Sequence, residues 1–431
     1  MKILIVGSGG REHVLAWKIR QSPLVKDLYC APGNGGVAGI AECVDIKADD
    51  IEGLVNFALK KRIDLTIVGP EAPLTEGIVD HFEVNGLKVF GPSKAAARLE
   101  GSKVFAKEFM HKCNIPTAVF KTFDDYDLAK EFIKKAQYPL VVKADGLAAG
   151  KGVLICNKYD EAQKAISQIM QQKVFKEAGN KVVIEECLSG EETSILAICD
   201  GQDYIVLASS QDHKRIFDED LGPNTGGMGA YSPAPVVTAD ILTKVEARII
   251  EPTIRGMNRE GTPFKGVLYV GLMITKEGPQ VLEYNVRFGD PEAQAVLPRL
   301  KNDLIPVLLA SCEERLNEFE LDWDKRPCVC VVMSAGGYPG EYKTGHEITG
   351  LDKAKDEENT VVFHAGTKLE DGKIVTSGGR VLGVTALGKN LQTAIDQAYK
   401  AVELIKFESC FFRRDIGAKA FIHMTQTSTH R

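Results

Sequence analysis

Apolar and polar positions along the chain fall into three blocks of different character. Up to about residue 100, short apolar runs at Lys2–Gly7, Leu65–Gly69 and Lys88–Phe90 alternate with helically spaced stretches at Arg11–Arg20, Ile51–Lys61 and Gly77–Asn85. That alternation predicts βαβ units and a mostly parallel sheet. From about 103 to 312, strands such as Leu140–Lys143, Val182–Glu186 and Tyr204–Ser209 mix with helices at 127–136, 160–172 and 238–258, which predicts α+β layers with antiparallel pairs. A charged stretch, Glu313–Arg326, precedes a third block that opens with the strand Cys328–Ser334. This block closes with an amphipathic helix in which Leu391, Ala394, Ile395, Ala398, Val402 and Ile405 recur at helical spacing. No internal repeat interrupts the pattern, and the tail from Met424 reads as frayed.

Composition narrows the classes of function. With 431 residues, 44% of them hydrophobic, the chain can bury a full core and divide into several domains. A net charge of −6 with scattered basic residues argues against a nucleic-acid partner, because phosphate neutralisation needs clustered Lys and Arg. No apolar run approaches the roughly 20 residues of a membrane span, and the first residues read as a strand and not a signal peptide. The ten cysteines lie mostly far apart, so the spacing supports neither a zinc framework nor a disulfide ladder and reduced thiols in the cytoplasm are expected.

Four glycine-rich segments carry the candidate chemistry. Gly7-Ser8-Gly9-Gly10-Arg11-Glu12 follows a strand and opens a helix, but Glu12 stands where a dinucleotide fingerprint requires its third glycine. The turn can still present backbone N–H groups to an anion, which favours a phosphate over an NAD site or a plain turn. Lys143-Ala144-Asp145-Gly146-Leu147-Ala148-Ala149-Gly150-Lys151-Gly152 fails as a Walker A loop, since its spacing is one residue short and Gly152 replaces the Ser/Thr. Lying between two apolar strands, it reads as a hairpin whose tip could close over a triphosphate while Lys143 and Lys151 supply charge. The bland alternative is a surface turn with two solvated lysines. Asn224–Pro233, with Gln211-Asp212-His213-Lys214-Arg215 before it, reads as a loop laid over a small polar ligand, with Asp212 and Lys214 on one side of their strand.

The fourth segment is a hairpin: strand Gly266–Ile274, turn Lys276–Pro279, strand Gln280–Arg287. Period-2 alternation points Glu283, Asn285 and Arg287 the same way. A carboxylate and an amide oxygen are hard ligands suited to Mg²⁺, and an arginine beside them can hold a carboxylate or a transferring phosphoryl group. The wet face of an exposed sheet would look the same in isolation.

Taken in order, these segments resemble the glycinamide ribonucleotide synthetase family of the ATP-grasp superfamily. The likeness runs from Ile3 to about Gly417 and includes Gly7–His13, Pro32–Gly36, Val68–Leu74, Lys143–Gly152, Gln211–Arg215, Asn224–Pro233, Glu283–Glu292 and Ser377–Leu382. It implies an N-terminal parallel βαβ domain over 1–102 that binds phosphoribosylamine. An ATP-grasp core of two α+β subdomains over 103–312 follows, with a lid at about 120–190, and then a small α+β C-terminal domain over 327–424. It implies ligation of glycine to 5-phosphoribosylamine through glycyl phosphate, with ATP as co-substrate and Mg²⁺ or Mn²⁺ as cofactor. By the same likeness Lys103, Lys143, Gly150, Lys151 and Gly152 would meet the phosphates. Adenine would be read at the backbone of Glu186 and Leu188, with Glu191 near the ribose. Glu283 and Asn285 would hold the metal. Arg287, Asp212 and Lys214 would hold glycine and its acyl phosphate, with Arg287, Asp212 and Lys143 as the catalytic set. Gly10, Arg11, Asn34, Glu71 and Arg380 would bind phosphoribosylamine. Many ATP-grasp relatives carry another metal carboxylate on the strand before the hairpin turn, where this chain has Leu272-Met273-Ile274, so a cage of side-chain carboxylates for two metals is not expected. A monomer is expected. The rival readings are an ATP-grasp ligase for another acid and a non-catalytic nucleotide sensor.

Overall fold

The structure is a computed structural model, and it describes residues 1–147 and 152–423. The expectations for Gly150, Lys151 and the tail from Met424 lie outside the described residues.

The N-terminal strands form one five-stranded sheet in the order Glu42–Cys43, Asp27–Pro32, Lys2–Gly7, Leu65–Val68, Val89–Phe90, and every pair is parallel. Ile3, Leu4, Ile5 and Val6 are all fully buried, the continuous apolar run demanded of a strand covered on both faces. The chain leaves Lys2–Gly7 for a neighbour on one side and later returns on the other. That switch in direction opens a crevice beyond the carboxyl ends of the strands, where ligands settle in open α/β sheets. Gly7, Asn34 and Glu71 stand at those ends.

A second sheet, Phe120–Phe123, Val182–Glu186, Leu140–Ala144, Val153–Cys156, is antiparallel throughout. Helices Tyr126–Ile133 and Tyr159–Ile166 back it through a core of its own that includes Ile133, Val142, Ile166 and Ile184. A separately cored unit can move as a body. By contrast, the antiparallel sheet of Tyr204–Val206, Glu191–Asp200, Lys265–Thr275 and Gly278–Asn285 shares its core with the N-terminal unit: Leu4 and Val6 cluster with Ile195, Leu268 and Val281.

The third block differs from expectation. Its sheet runs Gln211–Asp212, Gly229–Ser232, Cys328–Ser334, Arg380–Leu387, Thr360–His364, so two strands are borrowed from the middle of the chain. Those two strands are short, and the glycine-rich loop before Gly229 hides them from a periodicity reading. Helix Leu391–Leu404 packs on this sheet through Ala394, Ala398 and Val402 as its spacing predicts.

Smaller differences have local causes. The strand expected at Tyr204–Ser209 stops at Val206. The helix expected at 238–258 is interrupted by a π-turn at Glu246–Ile250, just before Pro252, which has no N–H for the α-helical bond. The hairpin turn is tighter than expected: the second strand begins at Gly278 and ends at Asn285, so Arg287 lies beyond it.

The N-terminal and C-terminal units meet at two buried histidines. The backbone N–H of His364 donates to His13 Nδ1 at 2.7 Å, and His364 Nδ1 lies 3.1 Å from Thr367 Oγ1. Burial, aided by His364 and Lys355, holds His13 down at about 3; burial and Lys355 hold His364 at about 4. Between those values and the ordinary 6.5 the unfolded chain binds more protons than the folded one. The stability these neutral rings permit is therefore whole above about pH 6.5 and drains away as pH falls toward 4, by up to about 1.4 kcal/mol per pH unit for each ring. Denaturant midpoints should hold from pH 7.5 to about 6.5 and then drop toward pH 5; a flat series down to pH 5 would contradict the neutral pair.

Candidate active site

The hairpin end is shaped by a bulge. Gly271 pairs with Glu283 but Leu272 pairs with Val281, leaving Leu282 unpaired in register. A bulge re-aims the strand it interrupts, and here the freed Leu282 carbonyl accepts from Lys143 Nζ at 3.0 Å. Beyond the bulge Tyr284 and Val286 are buried while Glu283, Asn285 and Arg287 are only half-buried, as alternation predicts. Directly across from Glu283 stands Gly271, where a Cβ would lie 3.2 Å from Glu283 Cγ. The strand preceding the turn therefore offers no carboxylate opposite Glu283, as its sequence indicates.

Lysines converge on Glu283. Burial pushes its carboxyl up, but Lys214, Lys143 and Lys103 outweigh that and hold it below its ordinary value. Lys103 opens the helix Lys103–Lys112, capped by the Ser102 hydroxyl, which accepts from the Phe105 N–H at 3.1 Å. Its Nζ donates to the Gly146 carbonyl at 2.9 Å. The Ser102 hydroxyl and the Val104 N–H both donate to Asp145, at 3.0 and 3.1 Å, so the base of the glycine hairpin rests on this helix end. Gly152 closes the same hairpin, its carbonyl accepting from the Ala144 N–H at 2.9 Å. Cations in excess of one carboxylate suit a polyphosphate.

Behind these lysines lies a buried charge triad. Glu185, 4% exposed, pairs with Lys143 and with Lys107, the latter at 2.5 Å. Lys107 also donates to Thr117 Oγ1 at 2.6 Å, and that hydroxyl donates to the Val281 carbonyl at 2.6 Å. Burial would push the Glu185 carboxyl up, but Lys143 and Lys107 hold it down; burial lowers Lys107 to about 8 against the pull of Glu185. The triad joins the second sheet, the Lys103 helix and the hairpin. Next to it, the Glu186 N–H donates to the Val119 carbonyl at 3.0 Å and its carboxylate accepts from the Val119 N–H at 2.8 Å. Glu186 thus anchors the segment that leads through Leu188 to Glu191. Glu191 accepts from Gln211 Nε2 at 2.8 Å and also meets His423.

On the far side of Glu283, Lys214 Nζ lies 3.3 Å from Glu192 and 3.4 Å from Asp212. Glu292, missed in the sequence reading, is 3% exposed and accepts from Tyr269 OH at 2.9 Å. Burial, with the Asp212 charge, raises its carboxyl to about 7.

Arg287 ties the hairpin to the crevice of the N-terminal sheet. Its Nε donates to Glu71 at 3.0 Å, and its Nη2 donates to Glu100 at 3.2 Å and to Asn285 Oδ1 at 3.1 Å. Burial pushes the Glu71 carboxyl up, but Arg287 and Arg11 bring it down to about 2. Arg11 donates to the Phe288 carbonyl at 3.2 Å and to Glu12 at 2.6 Å.

The glycine turn and its neighbours are engaged in contacts within the fold. Glu12 Oε2 accepts from the Gly9 N–H, and a Cβ at Gly7, Gly9 or Gly69 would lie within 2.9 Å of the Glu12 side chain. These glycines make room for a capping carboxylate, so an anion at Gly10 or Arg11 must share the helix end with it. Asn34 is spent on backbone as well: Nδ2 donates to the Ser8 and His364 carbonyls at 2.8 and 2.9 Å, and Oδ1 accepts from Gly36 and Val37, both at 3.0 Å. It braces two loops, and its amide is already used. Arg380 donates to the Gly226 and Asp290 carbonyls at 2.6 and 2.7 Å and pairs with the Asp290 carboxylate at 3.2 Å, fixing the Asn224–Pro233 loop.

The structure thus brings Lys103, Lys143, Asp212, Lys214, Glu283, Asn285, Arg287 and Glu71 along one continuous polar seam, and sets Asn34 and Arg380 behind it as braces. Glu100, Glu185, Glu292 and Asp290 were missed. Of these Glu185 carried a signal, an acid directly after the apolar run Val182-Val183-Ile184, and Asp290 and Glu292 lie within the stretch Glu283–Glu292 that carries the family likeness.

A polyphosphate-shaped lysine cluster between two α+β sheets, one of them separately cored, is the arrangement of an ATP-grasp enzyme. Family comparison agrees. Models of phosphoribosylglycinamide synthetase match most of the chain, the N domain over residues 1–100, the ATP-grasp (A) domain over 101–293 and the C domain over 328–419. The chain belongs to the phosphoribosylglycinamide synthetase family. Phosphoribosylamine–glycine ligase of Caldanaerobacter subterraneus subsp. tengcongensis is 50% identical over 418 residues, which cover 97% of this chain and 100% of that one. The crystal structure of phosphoribosylamine–glycine ligase from Thermotoga maritima superposes with a TM-score of 0.85 at 35% identity, over 97% of this chain and 100% of that one. Biotin carboxylase from Campylobacter jejuni, at 14% identity and a TM-score of 0.74 over 99% of this chain and 95% of that one, shares the fold alone.

Replacing Glu185 by Gln should leave two buried lysines without their counter-charge. A loss of roughly 3–5 kcal/mol in urea unfolding is expected; a loss below about 1 kcal/mol would show that the lysines re-pair or escape to water.

Proposed function

We propose that the chain ligates glycine to 5-phosphoribosylamine at the expense of ATP, forming glycinamide ribonucleotide in purine biosynthesis. The observation that carries this reading is Arg287, set between the lysine-ringed Glu283 and the sheet crevice at Glu71, where an activated acyl group and an amine would have to meet. ATP first phosphorylates the glycine carboxylate, giving glycyl phosphate and ADP. The amine of phosphoribosylamine then attacks the acyl carbon, phosphate departs, and the amine loses a proton as the amide forms. No nucleophilic side chain is needed, so positioning and charge stabilisation supply the rate.

Lys103 and Lys143 neutralise the nucleotide phosphates, and the hairpin ending at Gly152 covers them. Adenine lies against the backbone between Glu186 and Leu188, with Glu191 toward the ribose. Asp212 receives the glycine ammonium, and Lys214 balances the carboxylates around it. Arg287 holds the acyl phosphate. Glu71 and Arg11 face phosphoribosylamine. Covering the site keeps water from the acyl phosphate.

A divalent cation fits the donors at the hairpin, a carboxylate at Glu283 and an amide oxygen at Asn285, both hard and on one face. Among the described residues no group of three or more His, Cys, Asp or Glu gathers as a cage, so Glu283 and Asn285 would hold the ion with phosphate and water completing its shell. When bound, Mg²⁺ or Mn²⁺ supplies charge neutralisation for phosphoryl transfer.

ADP release should require glycine and phosphoribosylamine together. A protein that releases ADP with formate or bicarbonate and is silent with that pair would refute the assignment and favour another ATP-grasp ligase. Arg287→Ala should lower turnover at least about 100-fold while ATP binding persists, and turnover within twofold of wild type would remove Arg287 from the chemistry.

A further inference from the structure

Glu100 has no part in the scheme above, yet it is the acid most tightly built into the seam. It lies in the short helix Arg98–Gly101, directly before the Ser102 cap of the Lys103 helix, and is 8% exposed. Its two carboxylate oxygens do different work. Oε2 accepts from the backbone N–H of Val286 at 2.7 Å, and Oε1 accepts from Arg287 Nη2 at 3.2 Å. One side chain thus fixes both the main chain of the hairpin end and the guanidinium that follows it, immediately after the metal-donor residue Asn285. The groups facing it are Arg287 from the hairpin, Glu71 and Arg11 from the crevice, and Lys103 from the next helix.

A surface ion pair would leave Arg287 free to swing, but a buried carboxylate with both oxygens engaged does not. The counter-pull is explicit. Glu71 takes Arg287 Nε at 3.0 Å from the crevice side. Without Glu100 the guanidinium would keep that carboxylate, the Asn285 amide and the Phe288 carbonyl, and would settle toward Glu71.

We propose that Glu100 is a positioning residue for the ligase reaction, holding Arg287 between crevice and nucleotide by bonding its guanidinium and the preceding Val286 amide at once. The proposal rests on the role given above to Arg287. Displacement of about 1 Å in such a group costs on the order of 100-fold in rate, so Glu100→Gln should lower kcat by about 10- to 100-fold with little change in the KM for ATP. Binding of ADP with Mg²⁺, measured by calorimetry, should stay within about twofold, because the lysines that meet the phosphates are untouched. The decisive readout is the cycle with Arg287→Lys. If Glu100 acts through Arg287, adding Glu100→Gln to Arg287→Lys costs much less than it does alone. Losses that multiply, a wild-type kcat in Glu100→Gln, or a fall in kcat accompanied by an equal loss of ADP affinity would each overturn the proposal. If Glu100→Gln does not fold, Glu100→Asp serves: it keeps the charge, is too short to reach both partners, and should still show the kcat defect, whereas full activity would overturn the proposal. Failure of the wild-type protein to release ADP with glycine and phosphoribosylamine would instead refute the proposed function.

Discussion

The active seam depends on holding one half-buried guanidinium among more acids than it can neutralise. Arg287 is shared by Glu71, Glu100 and the Asn285 amide, and each partner belongs to a different part of the chain. A charge largely withdrawn from water is tolerable only with good geometry on every side. The N-terminal crevice, the helix that begins the nucleotide unit and the hairpin must therefore stand in fixed relation before the guanidinium can be accommodated. The continuous core that joins Leu4 and Val6 to Leu268 and Val281 supplies that rigidity.

The second sheet works under the opposite constraint. Its core is its own, and its link to the rest runs through polar contacts: the Glu185 triad, the Lys143 bond to the Leu282 carbonyl, and Asp145 on the Lys103 helix end. Polar links can be exchanged for bonds to a nucleotide at little net cost, whereas a shared apolar core cannot be opened so cheaply. The two units are thus distinguished by the kind of contact that joins them to the rest, apolar in one and polar in the other.

Much of this was legible in the sequence because it is local. Strands Lys2–Gly7, Val182–Glu186 and Cys328–Ser334 have the bounds their apolar runs indicate. The shared orientation of Glu283, Asn285 and Arg287 follows from alternation, and the gap on the preceding strand was visible as Leu272-Met273-Ile274. What could not be read is long-range. Nothing near Glu100 announces that its partners lie at Val286 and Arg287, and nothing near Glu12 tells that three glycines clear space for its carboxylate. Asn34 and Arg380 were expected as ligand contacts from the family resemblance; that Asn34 also bonds to backbone on two loops, and Arg380 to backbone and to the Asp290 carboxylate, is visible only in the fold. The bulge at Leu282 was equally invisible, since a single unpaired residue leaves the hydrophobic pattern almost intact.

The borrowed strands of the third sheet carry a consequence for how the molecule can be divided. Glu313–Arg326 looks like a linker, yet the strand just after it, Cys328–Ser334, hydrogen-bonds to Gly229–Ser232, which lies well before it in the chain. A cut at the linker would strip Cys328–Ser334 of one neighbour and leave Gly229–Ser232 as a raw edge on the other fragment, both inviting association with other chains. The covalent seam and the mechanical seam therefore do not coincide. The loop Asn224–Pro233, which Arg380 ties to Asp290, is also a structural member of the C-terminal layer, so any exchange of that layer between relatives would have to carry the loop with it.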